Sequence, residues 1–224
     1  MATISQDFNV GSNQIINYDY EDISDGTGIV ALKCFGSTDS TGESFKLSKQ
    51  ILNGDPLFIL SDALTEAGPS FTLEKTATFA LSPFNKAKYV KGTAYIEGTL
   101  GFYCPDNPND ECQGYILFTF EHYDGTTATT IGTVQTETLA GNYTKFFTFP
   151  FCLEVSMTEK QFVKDDILRL KVEMYGHRSS DGVTCQMYLP INPKNEDIGG
   201  TPDWVVADDG HSDLNVYVPF RIEE

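Results

Sequence analysis

Apolar and polar residues alternate with a period of two over most of this chain. The segment ILRLKVEMY, residues 167–175, shows this most plainly, because Leu168, Leu170, Val172 and Met174 take every second position. Only an extended strand places every second side chain on one face of a sheet. Each such segment is therefore predicted to be a half-buried strand. Further strand segments are GIVALKCFG (28–36), FTLEKTATFALS (71–82), TAYIEGTLGFY (93–103), YILFTFEH (115–122), FFTFPFCLEVSM (146–157) and LNVYVPFRI (214–222).

Turn signals separate these segments and complete an all-β prediction. SPFN, DNPND, YDGTT, LAGN, VKDD and SSDG combine Gly, Pro, Asn and Asp, and no sustained amphipathic helix is evident. About eight to ten strands at this spacing favour two packed antiparallel sheets. A jelly-roll β-sandwich is the leading architecture, and an immunoglobulin-like sandwich is the second. We predict an N-terminal arm or first strand over residues 1–24 and a single jelly-roll domain over residues 25–224.

The same alternation predicts which side chains form the core. Phe118, Phe149, Leu170 and Val218 lie on the apolar faces of their segments and are expected to be buried. Pro219 interrupts the last strand, and it predicts either an edge position or a bulge because proline has no N–H to donate.

The chain carries a large excess of negative charge. Its 32 acidic and 15 basic residues give a formal net charge of -17, so it repels phosphate and no nucleic acid is expected as a partner. The charge is interpreted as an aid to solubility, or alternatively as an acidic face for cations or a basic partner. No apolar run approaches the ~20 residues that cross a bilayer, so no membrane insertion is expected.

The cysteines are expected to be reduced. The first residues, MATISQDFNVGSNQ, lack the basic and apolar regions of a secretory signal. We therefore expect the chain to be made and kept in a cytoplasm, or released from one by lysis, with reduced thiols as the default state. The cysteines are Cys34, Cys104, Cys112, Cys152 and Cys185.

The segment YCPDNPNDEC, residues 103–112, contains the densest group of candidate ligand residues, with two cysteines bracketing acidic and amide side chains. Three interpretations are open: a loop between strands, a calcium site, or a disulfide between Cys104 and Cys112. An exposed loop is favoured, because the ligand spacing of an EF-hand is absent and no histidine completes a zinc site. The oxygen ligands on offer belong to Asp106, Asn109, Asp110 and Glu111.

No catalytic constellation is recognised. His122, His177 and His211 lie in separate segments without a metal-ligand spacing, and HRSSDG, which begins at His177, lacks a nucleophile elbow. The neighbouring Asp165 and Asp166 are expected to be exposed at a turn and to titrate normally. We therefore predict that the chain is not an enzyme, with no catalytic, cofactor-binding or metal-binding residues and no cofactor.

Tyrosines are the residues whose placement suggests recognition. Many lie opposite the apolar face of their strand, as is typical of a protein interface or a glycan platform. Partial burial under loops is an equal alternative. The tyrosines concerned are Tyr18, Tyr20, Tyr95, Tyr103, Tyr115, Tyr123 and Tyr175.

Several stretches resemble known protein families. QDFNVG, INYDYEDISDGTGIVALKCFG and LNVYVPFRIEE resemble jelly-roll structural proteins on the virions of marine tailed viruses, such as capsid decoration or head-associated proteins. GTAYIEG with FVKDDILRLKVEMYG resembles strand pairs of galactose-binding-like jelly rolls, although Asp165 replaces the glycine of their Gly-Asp turn.

The first resemblance implies a function at the virion surface. It implies a non-enzymatic structural protein that binds a capsid lattice, including a major capsid protein, or associates with its own copies. Residues 1–20 are a candidate contact arm for that assembly. The alternative is a glycan-binding β-sandwich module for adhesion, which requires clustered outward Trp or Tyr.

Overall fold

The computed structural model describes residues 27–39, 42–64, 70–103, 112–141, 147–178, 185–199 and 211–221. These residues form strands and contain no helix, so the all-β prediction is confirmed. The strands are β1 (Thr27–Asp39), β2 (Gly42–Ser48), β3 (Phe58–Leu60), β4 (Thr72–Ala80), β5 (Lys88–Tyr103), β6 (Cys112–Tyr123), β7 (Ala128–Gln135), β8 (Leu139–Gly141), β9 (Phe147–Phe162), β10 (Ile167–Arg178), β11 (Gln186–Pro190) and β12 (Asn215–Arg221).

The strands form two packed layers within one continuous sheet. In the first layer β5 pairs with β9 along one edge and with β11 and β12 along the other, and β12, β1 and β2 follow in that order. In the second layer the order is β4, β10, β6 and β7, with β8 beside β6. Among the described strands, every pairing is antiparallel except a short parallel one that joins β2 to β4 at Phe45–Phe79 and Lys46–Ala80. The predicted β-sandwich of jelly-roll type is confirmed, with this one parallel link.

The two layers bury one continuous core. Phe118 of β6 meets Phe151 of β9 with ring centroids 5.6 Å apart. At the far edge, a Cβ added to Gly132 of β7 would lie 2.8 Å from Met157 Sδ of β9, so this edge of the second layer approaches the first. Phe118, Leu170 and Val218 are fully buried, as predicted.

Phe149 corrects one core prediction. It is only partly buried, although it packs against the core. It lies on β9, an outer strand of the first layer, where its ring meets Phe102 at 6.1 Å and Phe147 at 4.8 Å. The sequence pattern gave its face correctly but not its distance from the centre of the layer.

Pro219 marks a bulge and not an edge strand. β12 lies between β1 and β5, and its register with β5 shifts between Tyr217 and Phe220. Proline cannot donate to the ladder, so the irregularity falls where its missing N–H would be needed.

The prediction of reduced cysteines is wrong for one residue. Cys112, at the start of β6, is buried and disulfide-bonded, whereas Cys34 and Cys152 are free thiols. The prediction rested on the expected compartment, which does not decide whether two thiols meet in the fold. The calcium ligands suggested within residues 104–111, and the arm suggested at residues 1–24, lie outside the described residues.

Candidate functional site

An aromatic cluster lies on the outward surface of the second layer. Tyr115 of β6 and Tyr175 of β10 are directly paired, and their rings stack with centroids 5.0 Å apart and planes inclined by 14°. Phe71 meets Tyr115 at 5.3 Å and His177 at 4.8 Å. Leu73, paired with Tyr175 from β4, is 48% exposed. These residues together form the aromatic face.

The strand alternation and two glycines hold this cluster in place. Ile116 and Met174 are buried in the core, so the adjacent tyrosines must face outward. Gly114 and Gly176, also paired, lie directly beneath Met187 of the other layer, since a Cβ added at either would come within 2.9 Å of its Sδ atom. The aromatic face is therefore supported by closely packed backbone.

The aromatic face presents a neutral tyrosine to solvent. Burial, and secondly the neighbouring Tyr175, raises the pKa of Tyr115 above its ordinary value. Like that of an ordinary tyrosine, its hydroxyl is protonated at neutral pH and can donate a hydrogen bond. Chemically, the face can bury apolar area, stack with flat groups and offer hydroxyls at its rim.

A cavity with two carboxylates in its walls lies on the first layer. It has a volume of about 440 Å³ and is built where β5, β9 and the residues before β12 meet. It is named the carboxylate pocket. Its walls are formed by Glu97, Gly98, Pro150, Phe151, Cys152, His211 and Asp213.

The two carboxylates of this pocket are already bound by protein donors. Asp213 Oδ2 accepts hydrogen bonds from Lys33 Nζ at 2.6 Å and from Asn215 Nδ2 at 2.8 Å. Glu97 Oε1 accepts from Asn215 Nδ2 at 3.0 Å and from the Tyr217 hydroxyl at 2.6 Å. The Oδ1 atom of Asn215 is buried without a partner among the described residues. The amide is therefore oriented by what its nitrogen donates to both carboxylates.

The field of the carboxylate pocket opposes ionisation of its thiol. Burial, then Glu97 and Glu154, raises the pKa of Cys152. Because the thiolate is the nucleophilic form, this is the reverse of what activates a catalytic cysteine. The imidazole of His211 is 4.0 Å from Asp213 Oδ1.

A second polar pair is buried in the other layer. His122 Nε2 and Asp166 Oδ2 are 2.7 Å apart, and the same oxygen accepts the Val163 N–H at 2.8 Å. Burial opposes ionisation of Asp166, but these hydrogen bonds outweigh it and hold the pKa of this carboxyl below its ordinary value. The prediction of an exposed aspartate that titrates normally is therefore wrong for Asp166. The neighbouring Asp165 does lie in the turn, with φ of 71°, the left-handed conformation that glycine favours.

The remaining candidates from the sequence are dispersed. The three histidines do not come together: His122 pairs with Asp166, His177 joins the aromatic face, and His211 lines the carboxylate pocket. Tyr123 lies under the Arg169 guanidinium, 3.3 Å from its ring centroid. Within the part of the chain that the structure describes, no group of three or more His, Cys, Asp or Glu residues is arranged to hold a metal ion.

Sequence reasoning missed the carboxylate pocket. Lys33, Asn215 and Glu97 form one row across β1, β12 and β5, and each occupies an outward position of its strand. The alternation predicts their face, but the row exists only because β12 lies between β1 and β5. No signal in a single sequence gives that strand order.

Comparison with known proteins gives similarity at the level of the fold. No family model matches the chain, and no curated protein matches its sequence. An α-amino acid ester hydrolase is 10% identical, with 86% of this chain covering 36% of the hydrolase at a TM-score of 0.52. An aminopeptidase from a marine sediment archaeon (Thaumarchaeota archaeon) is 7% identical over 86% of this chain and 37% of that chain, with a TM-score of 0.45. A VP2 subviral particle of infectious bursal disease virus is 11% identical over 88% of this chain and 62% of that chain, with a TM-score of 0.31.

The similarity to the α-amino acid ester hydrolase corrects the prediction that the chain is not an enzyme. The sandwich is a fold that occurs within a hydrolase, and the chain spans about a third of the length of the two hydrolytic proteins it matches. At 10% identity the likeness shows the fold and does not assign a reaction.

The described residues contain no helix long and apolar enough to cross a membrane.

Proposed function

We propose that the chain is a structural β-sandwich of a viral particle that associates with its own copies through the aromatic face. The observation that carries this proposal is the contiguous group of rings around Tyr115 and Tyr175, with Leu73 48% exposed beside them. Apolar side chains gathered on one outward surface typically mark an interaction site.

The aromatic face has the composition of an interface centre. Tyrosine and phenylalanine are enriched there because they bury a large area at little cost in conformational entropy. The ring of Tyr115 is already fixed between Phe71 and Tyr175. A partner therefore meets an ordered surface, and less entropy is lost on binding.

The viral setting is supported by the sequence resemblance and by the charge. An acidic protein with a formal charge of -17 suits the outside of a particle and not contact with its genome. We place it at the virion surface after synthesis in a host cytoplasm. A major capsid protein is the second partner to test.

Sedimentation velocity over a series of protein concentrations tests self-association. Leu73→Glu is expected to shift the wild-type oligomer to monomer, because a carboxylate then enters a desolvated apolar contact. Ile29→Glu is the matched control: Ile29 is 46% exposed and lies on β1 in the other layer. A wild-type protein that stays monomeric, or equal loss of association in both variants, contradicts the proposal.

Glycan binding is the second candidate, and the stacked tyrosine pair favours it. Two neighbouring hydroxyl-bearing rings on one face are what a sugar platform needs. Tyr175→Phe separates the candidates, because it removes a hydroxyl and keeps the ring. If the wild type binds a glycan array and Tyr175→Phe loses that binding with unchanged sedimentation, glycan binding is favoured. If neither protein binds the array and both sediment alike as oligomers, self-association is favoured.

A further inference from the structure

A second cavity has a charge opposite to that of the chain. It lies at the end of β2, the β4–β5 connection and the start of β5, and its volume is about 570 Å³. Lys49, Lys86 and Lys88 are among its lining residues, and the described residues of the lining include no aspartate or glutamate. In a chain with 32 acidic and 15 basic residues, three lysines around one cavity form a marked local exception. This cavity is named the lysine pocket.

The lysines of this pocket form no ion pair with the residues that the structure describes. Ion pairs of the described residues join Lys33 to Asp213, Lys91 to Glu159 and Lys171 to Glu173. None of these pairs, among the described residues, includes a lysine of the lysine pocket. Its positive charge is therefore available to an external carboxylate.

The floor of the lysine pocket is aromatic and fixed. Phe84 meets Phe220 at 5.9 Å and Phe162 at 5.0 Å, and Lys88 Nζ lies 5.6 Å from the Phe220 ring centroid. The backbone of Phe84 donates to Asp166 O at 2.9 Å and accepts from the Asp165 N–H at 2.8 Å. The pocket is thus tied to the turn that the buried His122–Asp166 pair supports.

We infer that the lysine pocket binds an acidic surface of a second copy of this chain. This inference rests on the proposed self-association and adds an electrostatic contact to the apolar one. Two molecules of formal charge -17 repel one another. An ordered contact between them is favoured where it brings unlike charges together, and the unpaired lysines supply the positive partner.

The contact does not join the lysine pocket to itself. A two-fold contact of the pocket with itself would place two sets of three lysines together. The pocket includes Leu81, just beyond the end of β4, whereas the aromatic face includes Leu73 near its start. At ~3.3 Å per residue these points are roughly 25 Å apart. The lysine pocket and the aromatic face are therefore separate surfaces that can be changed independently.

Sedimentation velocity of the full chain at about 0.05 M and about 0.5 M NaCl tests the inference. Lys86→Glu is expected to weaken association roughly tenfold at low salt, and high salt is expected to weaken the wild type in the same direction. Lys194→Glu is the matched control, because Lys194 is also exposed and lies in the turn after β11, so the change in net charge is identical.

The possible outcomes separate this inference from the proposed function. Equal association of Lys86→Glu and Lys194→Glu, with Leu73→Glu still monomeric, overturns the lysine pocket and leaves the aromatic face standing. A wild-type monomer at every concentration overturns both. Dextran sulfate is the competing probe: if Lys86→Glu loses dextran sulfate binding but associates normally, the pocket serves an anionic glycan and the inference is wrong.

Discussion

The two outward surfaces of the sandwich differ in one respect: the charged groups of one are bound by donors of the same chain, whereas the apolar groups of the other remain partly exposed to solvent. In the carboxylate pocket, Asp213 and Glu97 are bound by donors of the same chain, Lys33 and Tyr217 among them. On the aromatic face, rings stack on one another and Leu73 remains 48% exposed. Removing one partner from internally paired charges destabilises a fold, whereas gathered apolar groups left in water favour a partner.

The largest loss of unfolding free energy is expected when the internal pairing of the carboxylate pocket is broken. Asp213→Ala removes the acceptor shared by Lys33 and Asn215 and is expected to cost about 1.5–3 kcal/mol of unfolding free energy, measured by urea denaturation. Glu154→Ala, an exposed carboxylate on β9, is the control and is expected to stay within about 0.5 kcal/mol. Equal losses in the two variants would show that the pocket does not stabilise the fold.

The buried pair of the second layer extends this comparison to pH. Because the pKa of Asp166 is lowered in the folded state, its contribution is present above the unfolded value of about 3.9 and is lost as pH falls through the folded value. Asp166→Ala is expected to cost about 1.5–3 kcal/mol at neutral pH and clearly less near pH ~3. A stability difference from wild type that grows on acidification would contradict the lowered pKa.

A smaller effect on stability is expected at the aromatic face. Tyr175→Leu keeps apolar area but removes the stack on Tyr115, so the cost in unfolding free energy should be about 0.5–1.5 kcal/mol. Its self-association should weaken clearly, while Asp213→Ala, compared below its melting temperature, should associate as the wild type does. If Tyr175→Leu instead associates normally, the rings serve the fold alone.

The smallest effect concerns the thiol of the carboxylate pocket. Since Glu97 and Glu154 help to raise the pKa of Cys152, Glu154→Gln should lower it and speed alkylation by iodoacetamide near neutral pH. Cys34 and Cys185 are buried and serve as internal controls that react only on unfolding. A slower reaction in Glu154→Gln would remove the carboxylate field as the cause.

The sequence pattern predicts on which face of a strand a side chain lies, but it does not predict which strands are neighbours. Period-two alternation correctly predicted that Phe118, Leu170 and Val218 are buried, because the face on which a side chain lies is a local property of its strand. Phe149 is only partly buried, since its depth depends on the position of β9 within the layer. Strand order is non-local, and single-sequence periodicity does not encode it.

The candidate sites divide in the same way. The outward direction of Tyr115 and Tyr175 followed from the pattern, but their stacking required β6 and β10 to pair in register. Asp166 was expected to be exposed because two aspartates in a turn usually are, and only its contact with His122 reveals a buried pair. Residues that act through partners on other strands stay hidden until the strands are placed.

Hydroxyl-radical footprinting over a range of protein concentrations tests the central claim most directly, because both outward surfaces are observed in one sample. Self-association through the aromatic face predicts that oxidation of Phe71, Tyr115 and Tyr175 falls as concentration rises, while oxidation of Cys152 and His211 stays constant. Protection of Cys152 and His211 with unchanged oxidation of the aromatic face would contradict it. So would oxidation of both surfaces that does not depend on concentration.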